Sequence, residues 1–236
     1  MKHPLKTVVI GGSSGMGLAI AQTLHNLGHD IIIAGRSQYK LDQAAKTMEN
    51  VDSYVLDFTQ EPDLAPFFKS VGPFDHLLTP AANFAIAPFL TMPLENAKTF
   101  FDGKFWGQYL SAKHGAPYIR SGGSITFWCG AASQRPFMHF AVGSAINAAI
   151  EGLTRALALE LSPLRVNAIA PGTVVTPVWN SLPAQQRLKE FEETAQRLPV
   201  KRIGQPEDIA QAAVYLIQCG YATGSIVYVD GGSRLI

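Results

Sequence analysis

Residues 7–17 read TVVIGGSSGMG, and this stretch decides how the rest of the chain folds. The first four residues are β-branched, as is common in a strand, and glycines follow at positions 11, 12, 15 and 17. Glycine lets the backbone adopt a positive φ and approach a ligand closely. A helix that starts after such a turn points its free N–H groups at an anion. The stretch therefore predicts a strand, a pyrophosphate-binding turn for a dinucleotide and a helix; a purely structural turn is the alternative.

The same alternation of short apolar runs and longer helical patterns continues along the chain, which is typical of βαβ units around a parallel sheet. The predicted strands are residues 7–10, 30–34, 53–56, 76–79, 124–128, 165–169 and 225–229. The predicted helices are residues 15–27, 41–49, 64–71, 94–119, 143–161 and 207–218. We expect one α/β domain over residues 1–236, built on a doubly wound, Rossmann-type sheet of seven parallel strands with helices on both faces.

The longest stretch between predicted strands is residues 171–199, and residues 183–198 within it have a helical pattern. Such an insertion in a doubly wound fold commonly covers the substrate. We therefore expect residues 173–200 to form a substrate lid. The pocket walls expected from residues 84–89, 134–140 and 178–198 are mainly apolar, and they do not identify the substrate.

Composition excludes several classes of protein. The 236 residues carry 19 Lys and Arg against 18 Asp and Glu, a net charge of +1, whereas a nucleic-acid-binding protein needs a basic stripe. Cys129 and Cys219 are far apart, so neither a disulfide framework nor a metal site is indicated. The N-terminus lacks a signal-peptide pattern, and apolar runs such as residues 30–34 are too short to cross a membrane. We expect a cytoplasmic protein that binds small molecules.

The second predicted strand ends in IAGRS, residues 33–37. An acidic residue here would bind the adenosine ribose and repel a 2′-phosphate, whereas an arginine accommodates that phosphate. Arg36 therefore favours NADP(H) over NAD(H), the alternative being a solvated side chain. Asp57 and Phe58 follow the third strand, where a side chain could meet the adenine ring or simply form a turn. The residues predicted to hold this part of the cofactor are Gly11, Ser13, Ser14, Gly15, Met16, Gly17, Arg36, Ser37, Asp57 and Phe58.

Further blocks of sequence carry a family resemblance over nearly the whole chain. They are RALALEL at 155–161, RVNAI at 165–169, PGTVVTP at 171–177, GQPEDIA at 204–210 and VDGG at 229–232. With the glycine turn, the chain resembles the short-chain dehydrogenase/reductase family. The resemblance implies that Pro171, Gly172, Val174 and Thr176 hold the nicotinamide carboxamide. Ala81 and Asn147 complete the predicted cofactor set.

The resemblance also exposes departures at the catalytic positions. The family reduces carbonyl groups with a Tyr that donates the proton, a Lys four residues later, a Ser that polarises the carbonyl group and an Asn on an earlier helix. In this sequence those positions fall on Gly143, Asn147, Gly130 and Lys104, respectively. The family's N-N-A-G after the fourth strand is replaced by TPAA at residues 79–82. Gly143 cannot donate a proton, and we expect extra volume in the cleft where an aromatic ring would have stood.

Three other side chains are candidates to replace the lost groups. Lys104 could project into the site or be an ordinary surface lysine. Arg135 lies on the loop after the fifth strand and could clamp a carboxylate or phosphate, or could anchor the loop through an ion pair. His139 precedes the next helix and could titrate near neutral pH, or could simply decorate the helix terminus.

Three functions fit this pattern. The first is an NADP(H)-dependent oxidoreductase with a non-standard catalytic site, which transfers hydride to or from a small organic substrate. The second is a catalytically silent NADP(H)-binding sensor or regulatory protein, and the third is a non-redox enzyme that uses the same pocket. The intact stretch 171–176 favours the first, since an ADP sensor would not need a nicotinamide loop.

The predicted helices 94–119 and 143–161 carry small and apolar residues on more than one face, which indicates burial on all sides. In the resembled family such helices form a dimer seam. We expect a symmetric homodimer or a homotetramer; a thick monomer core is the alternative.

Overall fold

The computed structural model describes residues 3–81 and 85–236. Its strands are β1 Lys6–Ile10, β2 Asp30–Gly35, β3 Asp52–Val55, β4 Phe74–Leu78, β5 Ile119–Trp128, β6 Arg165–Pro171 and β7 Ile226–Val229. These strands form one parallel sheet in the order β3-β2-β1-β4-β5-β6-β7. The prediction of a doubly wound sheet of seven parallel strands is confirmed. The strand order reverses between β1 and β4, which is where open α/β sheets bind ligands.

The helices connect these strands across both faces of the sheet. They are α1 Gly15–Asn26, α2 Gln38–Ala45, α3 Glu61–Val71, α4 Leu94–Phe101, α5 Gly107–Gly115, α6 Ala141–Glu160, α7 Ala184–Arg197 and α8 Pro206–Gln218. Among the described residues no helix is both long and apolar enough to cross a bilayer.

The predicted helix over residues 94–119 is confirmed as a continuous helical segment up to Tyr118, but it is not one regular α-helix. A π-helical turn, Asp102–Trp106, joins α4 to α5, a 3₁₀ turn, Ala116–Tyr118, follows α5, and Ile119 already belongs to β5. A π-helical turn adds a residue to the helical repeat and so changes the direction of the side chains on it. This turn carries Lys104, so the irregularity falls on one of the candidate catalytic positions.

Each face of the sheet has its own apolar core, because successive strand side chains point to opposite faces. Val8 and Ile10 contribute to the core under α3, α5 and α6, whereas Val9 contributes to the core under α1, α2 and α8. The strand interiors are almost fully buried, as near-continuous apolar runs require. With both faces covered, the free carboxyl ends of the strands are left to build a site.

Residues 173–200 connect β6 to α8 through the 3₁₀ turn Pro177–Ser181 and α7, which agrees closely with the predicted helix 183–198. The indole Nε1 of Trp179 donates a hydrogen bond to the carbonyl oxygen of Val174 at 2.9 Å. The Trp179 ring also packs edge-on against Phe191 of α7, with ring centroids 5.6 Å apart. These contacts fasten α7 to the end of β6.

Candidate functional site

The glycine turn after β1 is tightly packed, and its glycines are required by geometry. Gly11 has a φ of +94°, and a β-carbon placed on Gly17 would lie 2.0 Å from the carbonyl oxygen of Gly11. No larger residue fits at position 17, because the obstacle is backbone. Helix α1 begins at Gly15, and the N-cap residue Ser14 makes no side-chain capping bond. The first N–H groups of α1 are therefore available to an anion.

The end of β2 brings together the residues predicted at the adenosine end. A β-carbon on Gly35 would lie 3.4 Å from the hydroxyl oxygen of Ser13, so the two loops touch. Ser37 caps α2 by accepting a hydrogen bond from the backbone nitrogen of Lys40 at 3.4 Å. Arg36 is exposed between them, and no ion pair ties it to another of the described residues. The arrangement leaves a forked cation beside a helix N-terminus.

The side chains of Asp57 and Phe58 both make contacts within the protein. The carboxylate of Asp57 accepts hydrogen bonds from the backbone nitrogen and the hydroxyl of Thr59, at 3.1 and 2.8 Å. The Phe58 ring is buried, and a β-carbon on Gly107 would lie 2.3 Å from it. Because α5 packs directly onto this ring, the structure favours the alternative of a structural role for Phe58, and its contact with adenine stays a prediction.

The loop after β6 closes one side of the cleft. Gly172 packs so closely on Asp230 that a β-carbon there would lie 2.8 Å from the Asp230 α-carbon. Val174 then forms a parallel bridge with Gly204. Beyond it, the side chains of Thr176 and Pro177 lie 3.4 and 3.2 Å from where a β-carbon of Gly15 would be. The root of the predicted lid therefore rests on the glycine turn.

Phe140 occupies the space beside Gly143. A β-carbon on Gly143 would lie 2.2 Å from the Phe140 ring, and that ring is buried and stacked on Phe137 at 4.6 Å. The expectation of extra cleft volume at this position is wrong, because an aromatic ring from the preceding loop fills it. Sequence reasoning missed Phe140; an aromatic residue three positions before the glycine is the signal that could have suggested it.

Lys104 reaches inward from the π-helical turn. Its Nζ donates a hydrogen bond to the carbonyl oxygen of Cys129, at the end of β5, at 3.1 Å. Burial lowers the pKa of the Lys104 ammonium to about 8, and the charge interaction with Cys129 opposes this shift only in part. The geometry thus favours the inward-facing alternative for Lys104 over a fully solvated side chain, and its catalytic role stays a prediction.

Gln108, which sequence reasoning missed, fixes the π-helical turn to the sheet. Its Nε2 donates hydrogen bonds to the carbonyl oxygens of Lys104 and Trp128, at 2.8 and 2.9 Å. Its Oε1 accepts hydrogen bonds from the backbone nitrogen of Trp128 and the hydroxyl of Thr79, at 2.7 and 2.9 Å. Gln108 is fully buried, and the sequence carries no motif that distinguishes it from an ordinary surface glutamine.

Asn147 approaches the same strand end from α6. Its Nδ2 lies 2.9 Å from where a β-carbon of Gly130 would be. Its Oδ1 is buried and has no hydrogen-bond partner among the described residues. A buried acceptor without a partner is costly, and a ribose hydroxyl is a suitable donor for it. The side chains of Lys104 and Asn147 therefore converge on the Cys129–Gly130 segment from two different helices.

Arg135 and His139 are less well placed than Lys104 and Asn147 to act at the Cys129–Gly130 segment. Both are exposed on the loop between β5 and α6, and His139 has a φ of +66°. The carbonyl oxygen of His139 accepts a hydrogen bond from the backbone nitrogen of Ala87 at 3.0 Å, which joins two loops beside the cleft. Within residues 3–81 and 85–236, no hydrogen bond links either side chain to Lys104 or Asn147. Ala82 and Phe84, named among the sequence predictions, lie outside the described residues.

A cavity of about 460 Å³ adjoins the loop after β6 and the predicted lid. It is lined by Val175, Thr176, Pro177, Asn180, Arg187, Leu188 and Phe191. Its walls are mostly apolar, and the Nη1 of Arg187 donates a hydrogen bond to the Asn180 side-chain oxygen at 2.7 Å. A second cavity of similar volume lies near β7, around the buried carboxylate of Glu151.

Comparison with known proteins agrees with this architecture. The family model described as enoyl-(acyl carrier protein) reductase matches residues 11–234. The short-chain dehydrogenase/reductase ATR9 of Stachybotrys chlorohalonatus is 30% identical, with 97% of this chain and 96% of that protein covered. A crystal structure of a small-chain dehydrogenase in complex with NADPH is 37% identical, with a TM-score of 0.86 and 99% and 100% of the two chains covered.

A further solved structure, the MalC reductase/Diels-Alderase of Malbranchea aurantiaca, is 26% identical with a TM-score of 0.92, over 99% of this chain and 98% of that one. The match of a family model to nearly the whole chain, and the similarity of the fold throughout, lead to one conclusion. This chain belongs to the short-chain dehydrogenase/reductase family of nucleotide-binding oxidoreductases.

Proposed function

We propose that this protein is an NADP(H)-dependent oxidoreductase that transfers hydride to or from a small organic substrate through a non-standard catalytic site. The observation that carries the proposal is the contact of Thr176 and Pro177 with Gly15. It places the loop predicted to hold the nicotinamide against the turn predicted to hold the pyrophosphate. A protein that only sensed an adenine nucleotide would not need both.

The residues present fit a nicotinamide dinucleotide. The α1 N-terminus, with its glycine turn, offers N–H groups to the pyrophosphate, and the orphaned Oδ1 of Asn147 offers an acceptor to a ribose hydroxyl. Arg36, beside the Ser37 cap of α2, supports a 2′-phosphate and hence NADP(H). The relative of known structure that is 37% identical was crystallised with NADPH, which supports the same choice.

The bound cofactor would supply a hydride at C4 of its nicotinamide ring. The chain's own residues would orient and enclose the reactants. Residues 173–200, fastened by Trp179 to Val174, would cover the substrate and exclude water. The mostly apolar cavity beside Thr176 would hold the body of a small organic molecule.

The catalytic positions support an altered proton transfer. Gly143 has no side chain, and the Phe140 ring stands beside it, so no phenolic hydroxyl comes from this part of α6. The loss of a positioned acid typically costs about 10² to 10⁴ in rate. Two features would each overcome this loss. One is a substrate that needs little proton assistance, such as an iminium ion, and the other is a proton donor elsewhere in the cleft.

The test combines binding with turnover. Calorimetry with NADPH and NADH should show binding of both, with NADPH bound at least tenfold more tightly. Incubation with NADPH and a panel of ketones, imines and enones should show oxidation of NADPH by at least one class. Tight NADPH binding with no oxidation across the panel would favour a sensor or a non-redox enzyme. Absence of any binding by folded protein would overturn the proposal.

A further inference from the structure

The ammonium group of Lys104 points inward from the π-helical turn. Its side chain is partly buried, and among the described residues its Nζ has one hydrogen-bond partner, the carbonyl oxygen of Cys129 at 3.1 Å. An ammonium group has three N–H donors, and removing it from water without a carboxylate partner is costly. Among the described residues no ion pair involves Lys104. Within the described part of the chain, two of the three donors of this ammonium group are therefore left for another acceptor.

Few charged groups act on the ammonium group of Lys104. The titratable group that acts on Lys104 is the thiol of Cys129, which directly follows β5. Burial raises the pKa of this thiol to about 12, so the thiol is neutral at physiological pH. The carboxylate of Glu151 on α6 acts on Cys129 and is held by Ser133, Gln134, Tyr228 and Arg155. Within residues 3–81 and 85–236, the charge on Lys104 therefore has no close counter-ion.

Lys104 and Asn147 form an exchanged pair relative to the family pattern. The family has an Asn on the earlier helix and a Lys on the later one; this chain has Lys104 on the earlier and Asn147 on the later. Both side chains still meet at the Cys129–Gly130 segment. The site thus keeps one amide and one ammonium group. Relative to the family pattern, the ammonium group lies on the earlier helical segment and the amide on the later helix.

We propose that Lys104 is the proton donor for the reduction, acting from the floor of the cleft in place of the missing tyrosine. This inference rests on the proposed function. As hydride reaches the carbonyl carbon, the π electron pair moves to the oxygen, which takes a proton from the Lys104 Nζ. The product is an alcohol, and the neutral amine regains its proton from water. The Nδ2 of Asn147, next to Gly130, would donate a hydrogen bond to the same oxygen.

The variants Lys104→Met and Lys104→Arg separate proton donation from charge. Arginine keeps the charge but does not release its proton. We expect both variants to lose at least about 100-fold in kcat/KM for a ketone that the wild type reduces, while NADPH affinity and Tm change little. The matched control is Lys98→Met, since Lys98 pairs with Glu95 on the exposed surface; it should retain activity.

The pH profile and a direct titration give readouts that a structural role would not move. A general acid must be protonated, so wild-type kcat/KM should fall as the pH rises above about 8, and this fall should vanish in Lys104→Met. In ¹³C-lysine NMR of the cofactor-free protein, one ε-methylene signal should titrate near pH 8 and be missing from Lys104→Met.

Two outcomes would overturn the inference. One is a Lys104→Met variant with kcat/KM within threefold of wild type and an unchanged pH profile. The other is full activity of Lys104→Arg, which would make the charge sufficient. A wild type that oxidises NADPH with no member of the panel would instead refute the proposed function, so the two failures are distinguishable.

Discussion

The ring of Phe140 lies where a side chain at Gly143 would have to start, 2.2 Å from the position of its β-carbon. The loop before α6 therefore fills the space beside Gly143, the position at which the family resemblance predicts a tyrosine. Phe140 is itself locked between Phe137, stacked at 4.6 Å, and Phe100, at 6.0 Å. Gly143 and Phe140 are thus a matched pair, and a larger residue at position 143 would require the Phe140 ring to move.

The variant Gly143→Ala should destabilise the protein by about 1–3 kcal/mol, because the added methyl group overpacks against a locked ring. Urea unfolding would measure the change. Gly220→Ala is the control: its β-carbon meets nothing within 4 Å, so its free energy of unfolding should stay within about 0.5 kcal/mol of wild type. Equal free energies of unfolding for the two variants would show that the Phe140 ring moves aside without measurable cost.

The variant Arg36→Asp should weaken NADPH binding by about 10- to 100-fold, since it replaces a phosphate-binding cation by a repelling anion. Binding of NADH, which lacks the 2′-phosphate, should be unchanged or improved. Calorimetry with both cofactors measures the ratio. Lys46→Asp, at the exposed C-terminal end of α2, makes the same charge change away from the site and should leave the ratio as it is. If Arg36→Asp leaves the ratio of NADPH affinity to NADH affinity unchanged, Arg36 does not bind the 2′-phosphate.

Buried His76 should make the protein acid-sensitive. Burial lowers the pKa of His76 to about 4, with His29 and Arg165 lowering it further and Asp75 opposing them. The unfolded chain takes up this proton near pH 6.5, so stability falls as the pH drops from about 6.5 to about 4, by up to about 3 kcal/mol. The free energy of unfolding of His76→Asn should depend less on pH across this window. His3→Asn, at the exposed N-terminus, is the control and should follow wild type; parallel curves for His76→Asn would contradict the assignment.

An exposed face of α6 supports the expected oligomer. Ala148, Gly152, Ala156 and Leu159 are all exposed on it, and Leu159 has 81% of its surface accessible. We expect the protein to be a dimer or tetramer in light scattering, and Gly152→Arg to break the α6 contact by adding bulk and charge. Lys46→Asp should keep the wild-type mass. A wild-type species of only 25.5 kDa would contradict this prediction.

The fold was largely predictable from the sequence because buried parallel strands are recognisable as continuous apolar runs. The helical pattern of residues 183–198 likewise matched α7 to within a residue at each end. Helix α2 starts at Gln38, earlier than predicted, because Ser37 caps it before any apolar periodicity begins. The π-helical turn was not predictable, since it depends on the fit of α4 and α5 against the rest of the protein.

The sequence indicated which residue positions belong to the candidate site, but it did not indicate which side chains contact one another there. Aligning motifs singled out Lys104, Gly130, Gly143 and Asn147, and the structure places the side chains of Lys104 and Asn147 at the same strand end, beside Gly130. The burial of Lys104 and the ring beside Gly143 depend on tertiary packing. Phe58 illustrates the limit: its place after β3 suggested an adenine contact, and the approach of α5 through Gly107 directed its ring into the core.

The four hydrogen bonds of Gln108 have a consequence for anyone who redesigns this enzyme. One amide side chain ties the backbone carrying Lys104 to Thr79 of the loop after β4 and to Trp128 at the end of β5. Grafting position 104 alone into a relative would transfer a side chain without its alignment. Positions 104 and 108 should be transplanted together, as a single module.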